Sequence, residues 1–450
     1  MVKPTRENGS SRLSATQVLN KIKPVQHAQR FLVSWQADRR ELSFGCGGNR
    51  HAVVITSARR LSKAMPGSVL GTRFSAETVR KFRAKSGPVD GRDLLKNAKS
   101  FISDYVHFCD QRRYSLLGAW TIGTYLYPIF SHFGYLVLWS KFWRSGKTRT
   151  EEILSHLCFE AQGPLNSPTV ATIRDTAAEG RTLILDTLER WKGKSAEAYS
   201  AAMEILDAGF RNGGAVAKMV RHGDEWRKEV FTVYAPYILA AINRASFSDT
   251  ALDRSFVIEM ERKPRGVKKT AYSHPRCEQA ATSVRECLYL WALQNALKVA
   301  NAYESPGLEE ELAKLELNDR ATDIWRPLLA VAKVVNEEEL WRDLSSLARE
   351  MGRDTDLADD ARNLAIVQGL RRYGNGEGEV VGMTSQLIEH LGAEKLSIGE
   401  RELHDLLESW GFSQTEARLE CGPRRAWKLK DEKLAIIEGQ LYVLDAGMHE

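Results

Sequence analysis

Lys147 and Asp186 are the residues whose surroundings best suit phosphate chemistry. Lys147 stands in Ser145-Gly146-Lys147-Thr148, reached from the apolar run YLVLW (135–139) through a polar turn. In such a layout the turn's N–H groups wrap phosphate oxygens at the start of the next helix. The Lys neutralises the outer phosphates and the Thr hydroxyl ligates Mg²⁺. Arg144, Ser145, Gly146, Lys147 and Thr148 are therefore the candidate grip on ATP, with Thr148 also on the metal. The full pattern G-x-x-x-x-G-K-[ST] asks for Gly at 141, where this chain has Lys141. An ordinary helix start with a solvated Lys is the competing reading.

A second apolar run, TLIL (182–185), ends in Asp186, 39 residues beyond Lys147. A carboxylate at the C-terminal edge of a strand can sit beside the Mg²⁺ water shell, so Asp186 is the candidate acid on the metal side. The two motifs together specify a nucleotide site better than either alone. Phe231 to Asn243 reads as one further strand. Asn243 then orients the attacking water or touches the γ-phosphate, unless it is only a cap before Arg244. Leu252-Asp253-Arg254 precedes a fourth strand, Ser255 to Met260. Arg254 either enters a neighbouring subunit's site as an arginine finger or pairs locally with Asp253 or Asp249.

The 450 residues suit two or three domains. At 43% hydrophobic and 27% charged, the composition is that of a globular protein. The net charge of +6 conceals an asymmetry: residues 1–100 carry 20 Lys+Arg against 6 Asp+Glu, and the rest carry 44 against 52. A basic head on an acidic body points to a polyanion such as DNA, or else to a solubilising tail. Six scattered cysteines without a C-x-x-C pair argue against zinc ribbons and disulfide scaffolds and fit a cytoplasmic location. Residues 114–140 lack Asp, Glu, Lys and Arg, but Pro128, His132 and Gly134 divide them into helix, turn and strand. No membrane span is expected.

The elements that must position these residues follow from periodicity. An amphipathic helix is expected over 15–35, two short strands around a Gly-rich turn over 42–57, and two helices over 93–130. The segment 162–175 reads as polar connection. Further helices are expected over 276–302, 307–315, 319–335 and 357–373. The last 70 residues outline two helices and a basic hairpin, a winged-helix-like module. Its Arg424, Arg425 and Lys428 are candidates for DNA phosphates, although such modules also bind protein. The expected domains are a basic N-terminal region (1–90), an ATPase core with preceding helices (91–265), a helical lid (266–380) and the winged-helix-like domain (381–450).

SGKTRTEEIL, TLILDTLERW, ILDAGFRNGGAV, YAPYILAAIN, ALDRSFVIEMERK, LNDRATDIWRPLLAVAKV and LSIGERELHDLLESWGF resemble a P-loop ATPase family of phage, plasmid and genomic-island proteins. That family is catalogued as a domain of unknown function and is often joined to primase or helicase modules. The likeness runs from about residue 90 to 440. It implies an α/β fold with an AAA+-like or RecA-like parallel core, a helical lid and a small C-terminal domain. It also implies the roles given above for Gly146, Lys147, Thr148, Asp186, Asn243 and Arg254. The family usually has Asp-Glu after the second strand, where this chain has Asp186-Thr187, with Glu189 the next acid. Glu189 either replaces the water-positioning Glu or is a solvated first-turn residue.

In Asp207-Ala-Gly-Phe-Arg-Asn-Gly-Gly214, Arg211 faces phosphate or an adjoining subunit, or the glycines simply end a helix and turn the chain. Arg320 and Arg326 of the lid are further candidates for the γ-phosphate, whereas Trp325 and Leu328 are packing residues. Two functions follow. One is an oligomeric DNA helicase or remodelling ATPase of a mobile element, using ATP and Mg²⁺, with a hexameric ring among its expected assemblies. The other is a nucleotide-gated scaffold with slow hydrolysis and a protein partner at its C-terminal domain, with phage defence as one setting for it.

Overall fold

The computed structural model describes residues 33–48, 51–57, 61–64, 73, 75–84, 87–188, 195–222, 224–374, 379–393, 396, 398–419 and 422–446. These residues form two compact units, Met1–Met351 and Gly352–Glu450.

The first unit opens with an antiparallel sheet of four strands in sequential order, β1 (Val33–Gln36), β2 (Glu41–Gly48), β3 (His51–Thr56) and β4 (Leu61–Ala64). The hairpin expected around the Gly-rich turn is β2–β3. The helix expected over 15–35 falls mostly outside the described residues. Its last part is strand instead, because Trp35 pairs across a turn with Leu42. Phe44 anchors this sheet, its ring 5.4 Å from Phe159 and 5.3 Å from Tyr289.

Helices α1 (Ala76–Arg83), α2 (Gly91–Tyr105) and α3 (Arg112–Thr124) follow, and β5 (Tyr135–Trp139) enters the core. The uncharged stretch 114–140 thus becomes buried helix and strand. Trp120 is buried and its Nε1 donates to Gly134 O at 2.8 Å. Among the described residues no helix is long and apolar enough to cross a membrane. Next come α4 (Lys147–Leu157), β6 (Gln162–Asn166), α5 (Val170–Ala178), β7 (Leu183–Asp186) and α6 (Ala196–Gly209). The segment expected as polar connection is therefore an edge strand and a helix, the helix capped by Thr169 Oγ1 accepting from Thr172 N. The single strand expected over 231–243 is two elements. Strands β8 (Ala215–His222) and β9 (Glu225–Thr232) form an antiparallel ribbon, and β10 (Tyr237–Ala241) begins after Pro236, which cannot donate to a ladder. Helix α7 (Asp249–Asp253) and β11 (Ser255–Glu259) complete the core.

Five strands make an all-parallel sheet in the order β11-β5-β10-β7-β6. Its central strands are continuous apolar runs, as strands buried on both faces must be. The fold is thus mixed α/β around a parallel sheet. Helices α8 (His274–Tyr303), α9 (Pro306–Ala313) and α10 (Asp319–Val335) follow it. Trp325 packs edge-on against Phe256 at 4.8 Å and Leu328 is fully buried, in keeping with their packing roles.

Helix α11 (Glu338–Tyr373) starts earlier than the expected 357. The second unit contains β12 (Glu379–Gly382), α12 (Thr384–Ala393), α13 (Glu400–Ser409), the hairpin β13 (Gln414–Leu419) and β14 (Gly422–Lys430), and α14 (Asp431–Ala446). Its antiparallel sheet has the order β12-β14-β13. Trp427 is buried there and its Nε1 donates to Thr384 Oγ1 at 3.0 Å. Arg371 ties α11 to α14 through Asp431 at 2.8 Å and through Glu438.

Candidate functional site

The turn after β5 enters α4 through Gly146, whose φ of +93° lies in the left-handed region that side chains avoid. That requirement explains the glycine at 146. Lys141 has no positive φ, so a side chain is tolerated there; it is exposed and pairs with Glu259 at 3.4 Å. Arg144 carries φ +63° and is exposed. Ser145 is buried, and Lys147 Nζ stands 3.5 Å from its Oγ. Thr148 is exposed on the first turn of α4.

Sheet order decides which other candidates join this turn. Strand β10 lies between β5 and β7, with Ala241 opposite Trp139 and Leu239 opposite Leu185. Strands spaced ~4.8 Å apart put the ends of β5 and β7 about 10 Å from each other. Asp186 ends β7, and Asn243 lies just beyond β10, exposed. The turn, Asp186 and Asn243 therefore share the C-terminal edge of three neighbouring strands, where parallel sheets bind ligands.

Thr187 N donates to Asp186 Oδ1 at 2.7 Å. Thr187 itself adopts φ +59°, a strained value for a β-branched residue, and its buried Oγ1 has no hydrogen-bond partner. Glu189 lies outside the described residues.

Four arginines proposed for phosphate lie at the opposite edge. Arg254 precedes β11, and its carbonyl accepts from Tyr135 N at the start of β5. A five-residue strand, about 16 Å long, separates it from the turn of its own chain. Its partner is Asp207 at 2.6 Å, rather than Asp253 or Asp249. Arg320 pairs with Asp253 at 3.2 Å and Asp323 at 3.4 Å, and Arg326 with Glu309. Arg320 and Arg326 thus do not reach a phosphate on their own chain's turn, because α10 packs at the edge where β5 begins. Arg211, exposed beyond the end of α6, bridges His132 on that same edge.

A cleft of ≈ 300 Å³ adjoins Arg144, Ser145, Gly146 and Arg149. Its far walls are residues 105–107 at the end of α2 and the 261–272 linker, neither of which carries a sequence motif. Thr270 N donates to Asp104 O at 2.8 Å and fixes the linker to α2, while the Arg149 guanidinium lies 4.4 Å from the Tyr272 ring centre.

The last turn of α4 is held by a partly buried network. His156 Nδ1 is 2.8 Å from Glu278 Oε2 and its Nε2 is 3.2 Å from the Tyr272 hydroxyl. Arg285 donates to His156 O at 2.8 Å and to Glu278 Oε1 at 2.6 Å. Burial holds the His156 imidazole below its usual pKa, with Glu278 pulling the other way. Burial resists ionisation of Glu278, but the hydrogen bonds from Arg285 and His156 prevail and lower it to about 2. Both folded values lie below the unfolded ones, so the unfolded chain binds more protons in each window. Stability is expected to fall as pH drops below about 6.5, where unfolded His156 protonates. It should fall again from pH 4.5 toward 2 as Glu278 loses its charge. Thermal melting across pH should show both limbs, and Glu278→Gln should shrink the lower one, to which the lowered carboxyls of Asp110 and Asp431 also contribute.

In the second unit, strand alternation puts Arg425 and Lys428 on opposite faces of β14. Arg425 and Lys428 are exposed.

A family model described as "Protein of unknown function (DUF3631)" matches residues 259–432, under half of the chain. No curated protein matches at a significant level. Among solved structures, the chain is similar to SCCmec type IV Cch, described as an active helicase, at 11% identity and TM-score 0.42, over 88% of this chain and 78% of that one. It is also similar to the NrS-1 C-terminal region in its A-form apo structure, at 12% identity and TM-score 0.30, over 76% of each chain. A further structure of that region, 305–718, matches at 11% identity and TM-score 0.32, over 88% of this chain and 96% of the other.

Proposed function

We propose that this chain is a nucleic-acid-associated ATPase acting as an assembly of its own copies, in the manner of a helicase or DNA-remodelling motor. One observation carries the reading: three adjacent parallel strands bring the Ser145–Thr148 turn, Asp186 and Asn243 to one edge of the sheet. The triphosphate would lie along the N–H groups of the turn and the start of α4, with Lys147 against its outer oxygens. The Thr148 hydroxyl and Asp186 carboxylate are hard oxygen donors suited to Mg²⁺, which binds through few protein ligands plus phosphate and water. Bound Mg²⁺ would neutralise charge on the β- and γ-phosphates. Asn243 would orient the attacking water, and the cleft beside Arg149 and Tyr272 offers room for the nucleoside.

Arg254 and Arg211 stand on the edge away from their own turn, so either would serve a neighbouring copy's γ-phosphate. That geometry favours an oligomer, and a closed ring is the arrangement in which every site is completed. The order of helix α11, strand β12, two helices and a hairpin, with β14 central, supports a winged-helix-like second unit carrying Arg424, Arg425 and Lys428 toward DNA.

Thr187 favours a second reading, a slowly hydrolysing scaffold that uses ATP at an interface between copies. It stands where a water-positioning Glu is usual and donates no proton-accepting carboxylate. ATP turnover measured with and without single- and double-stranded DNA separates the two. Stimulation by DNA supports the motor, ATP binding with negligible turnover supports the scaffold, and absence of ATP binding removes both.

A further inference from the structure

We propose that the outward face of the β8–β9 ribbon is a docking surface for single-stranded nucleic acid. This deepens the nucleic-acid half of the reading above but does not require ATP. Register places Ala217 opposite Val230, Met219 opposite Lys228 and Arg221 opposite Trp226, so these six side chains share one face. All six are exposed: Trp226 by 63%, Met219 by 56% and Val230 by 48%. The same alternation sends Glu225 and Glu229, the two acids of β9, to the other face. That other face is the supported one. Phe231 lies 4.0 Å beneath the Arg174 guanidinium of α5, Lys218 pairs with Glu204 of α6 at 2.9 Å, and Val216 is buried.

The ribbon therefore keeps its acids on the supported face, where Arg227 pairs with Glu225 at 2.8 Å, and sets an indole, apolar surface and two cations on the other. An exposed indole flanked by Arg and Lys is what an unstacked base and its phosphates require. Arg221 is also 3.4 Å from Asp224 in the turn, an exposed pair that phosphate can displace. A protein partner fits less well, because Lys is depleted from interface centres and Lys228 sits mid-face opposite Met219. Duplex DNA hides its base faces and offers the indole nothing to stack on. At ~3.4 Å per residue an eight-residue strand spans about 27 Å, long enough for several nucleotides.

The test uses the full chain without nucleotide and a fluorescein-labelled oligo-dT of about 20 nucleotides, followed by anisotropy across salt concentrations. Trp226→Ala is expected to weaken binding roughly ten-fold, the order of one lost base stack. Lys228→Ala should reduce the slope of log K against log salt by about 0.7. Glu225→Gln, on the supported face, should leave affinity unchanged. Trp226 is exposed, so unchanged melting will show that the variant is folded. Retained oligo-dT affinity in Trp226→Ala would overturn the proposal, as would equal loss of duplex binding. A change in sedimentation with no change in oligo-dT affinity would identify the face as a contact between copies and overturn it too. Parallel ATP binding keeps the tests separate: a variant that binds ATP normally but has lost oligo-dT condemns neither reading of the nucleotide site.

Discussion

Lys147→Ala is expected to lower ATP affinity by at least about 100-fold, as read by calorimetry or a fluorescent ATP analogue in the presence of Mg²⁺. The Lys147 ammonium leaves the first turn of α4 beside Ser145, next to a turn whose N–H groups supply only partial positive charge. Hydrogen bonds from a charged donor contribute about 1.5–3 kcal/mol each, so removing two contacts to β- and γ-oxygens accounts for that loss. The backbone cradle should survive, because Gly146 and the hydrogen bond that Thr150 Oγ1 donates to Gly146 O at 3.0 Å do not involve the lysine. Lys141→Ala provides the contrast. Its side chain is exposed and pairs with Glu259 across the sheet, so ATP affinity should change little. Normal binding and turnover in Lys147→Ala would dismiss the whole site, including Asp186 and Asn243, since their roles depend on phosphate lying on that turn.

Gly214→Ala should be the most damaging single methyl in the first unit's ribbon, lowering stability by about 3 kcal/mol through overpacking. A Cβ there would stand 1.7 Å from Ala208 O and 2.9 Å from Arg211 O, both backbone atoms that cannot swing aside. Gly214 is also a joint, since its N–H donates to Arg211 O and its carbonyl accepts from Val233 N. Relief would have to come from moving the end of α6 or the base of the ribbon. Gly213→Ala makes the comparison: its φ is +81° but no atom lies within 4 Å of the added carbon, so only the left-handed penalty of roughly 1 kcal/mol applies. Urea midpoints for the two variants should differ accordingly, and Gly214→Ala within experimental error of the unaltered chain would show that the packing there is looser than described.

The sequence by itself determined the local chemistry of this protein. Gly146 before Lys147 and Thr148, the apolar runs into Trp139 and Asp186, and the helices 91–105, 112–124 and 319–335 all follow from short-range rules. Those rules are the positive φ that favours glycine, the apolar continuity of buried strands, and helical periodicity closed by caps such as Asn318 Oδ1 accepting from Ala321 N. Adjacency was not legible there. Strand order is fixed by crossovers, so only the tertiary structure set β10 between β5 and β7 and gathered the turn, Asp186 and Asn243.

The same geometry separated Arg254, Arg320 and Arg326 from the turn, since each is anchored where the strands begin. The ribbon was not legible there because FTVYAPYILAAIN reads as one apolar run, whereas β9 ends at Thr232 and β10 starts only after Pro236, and because its two faces exist only once the register of β8 on β9 is known. Likewise, the sequence shows Thr187 only as a departure from the Asp-Glu pair of the family it resembles. Its strain and its unpaired hydroxyl arise from the bend that the end of β7 must make, a property of the folded chain alone.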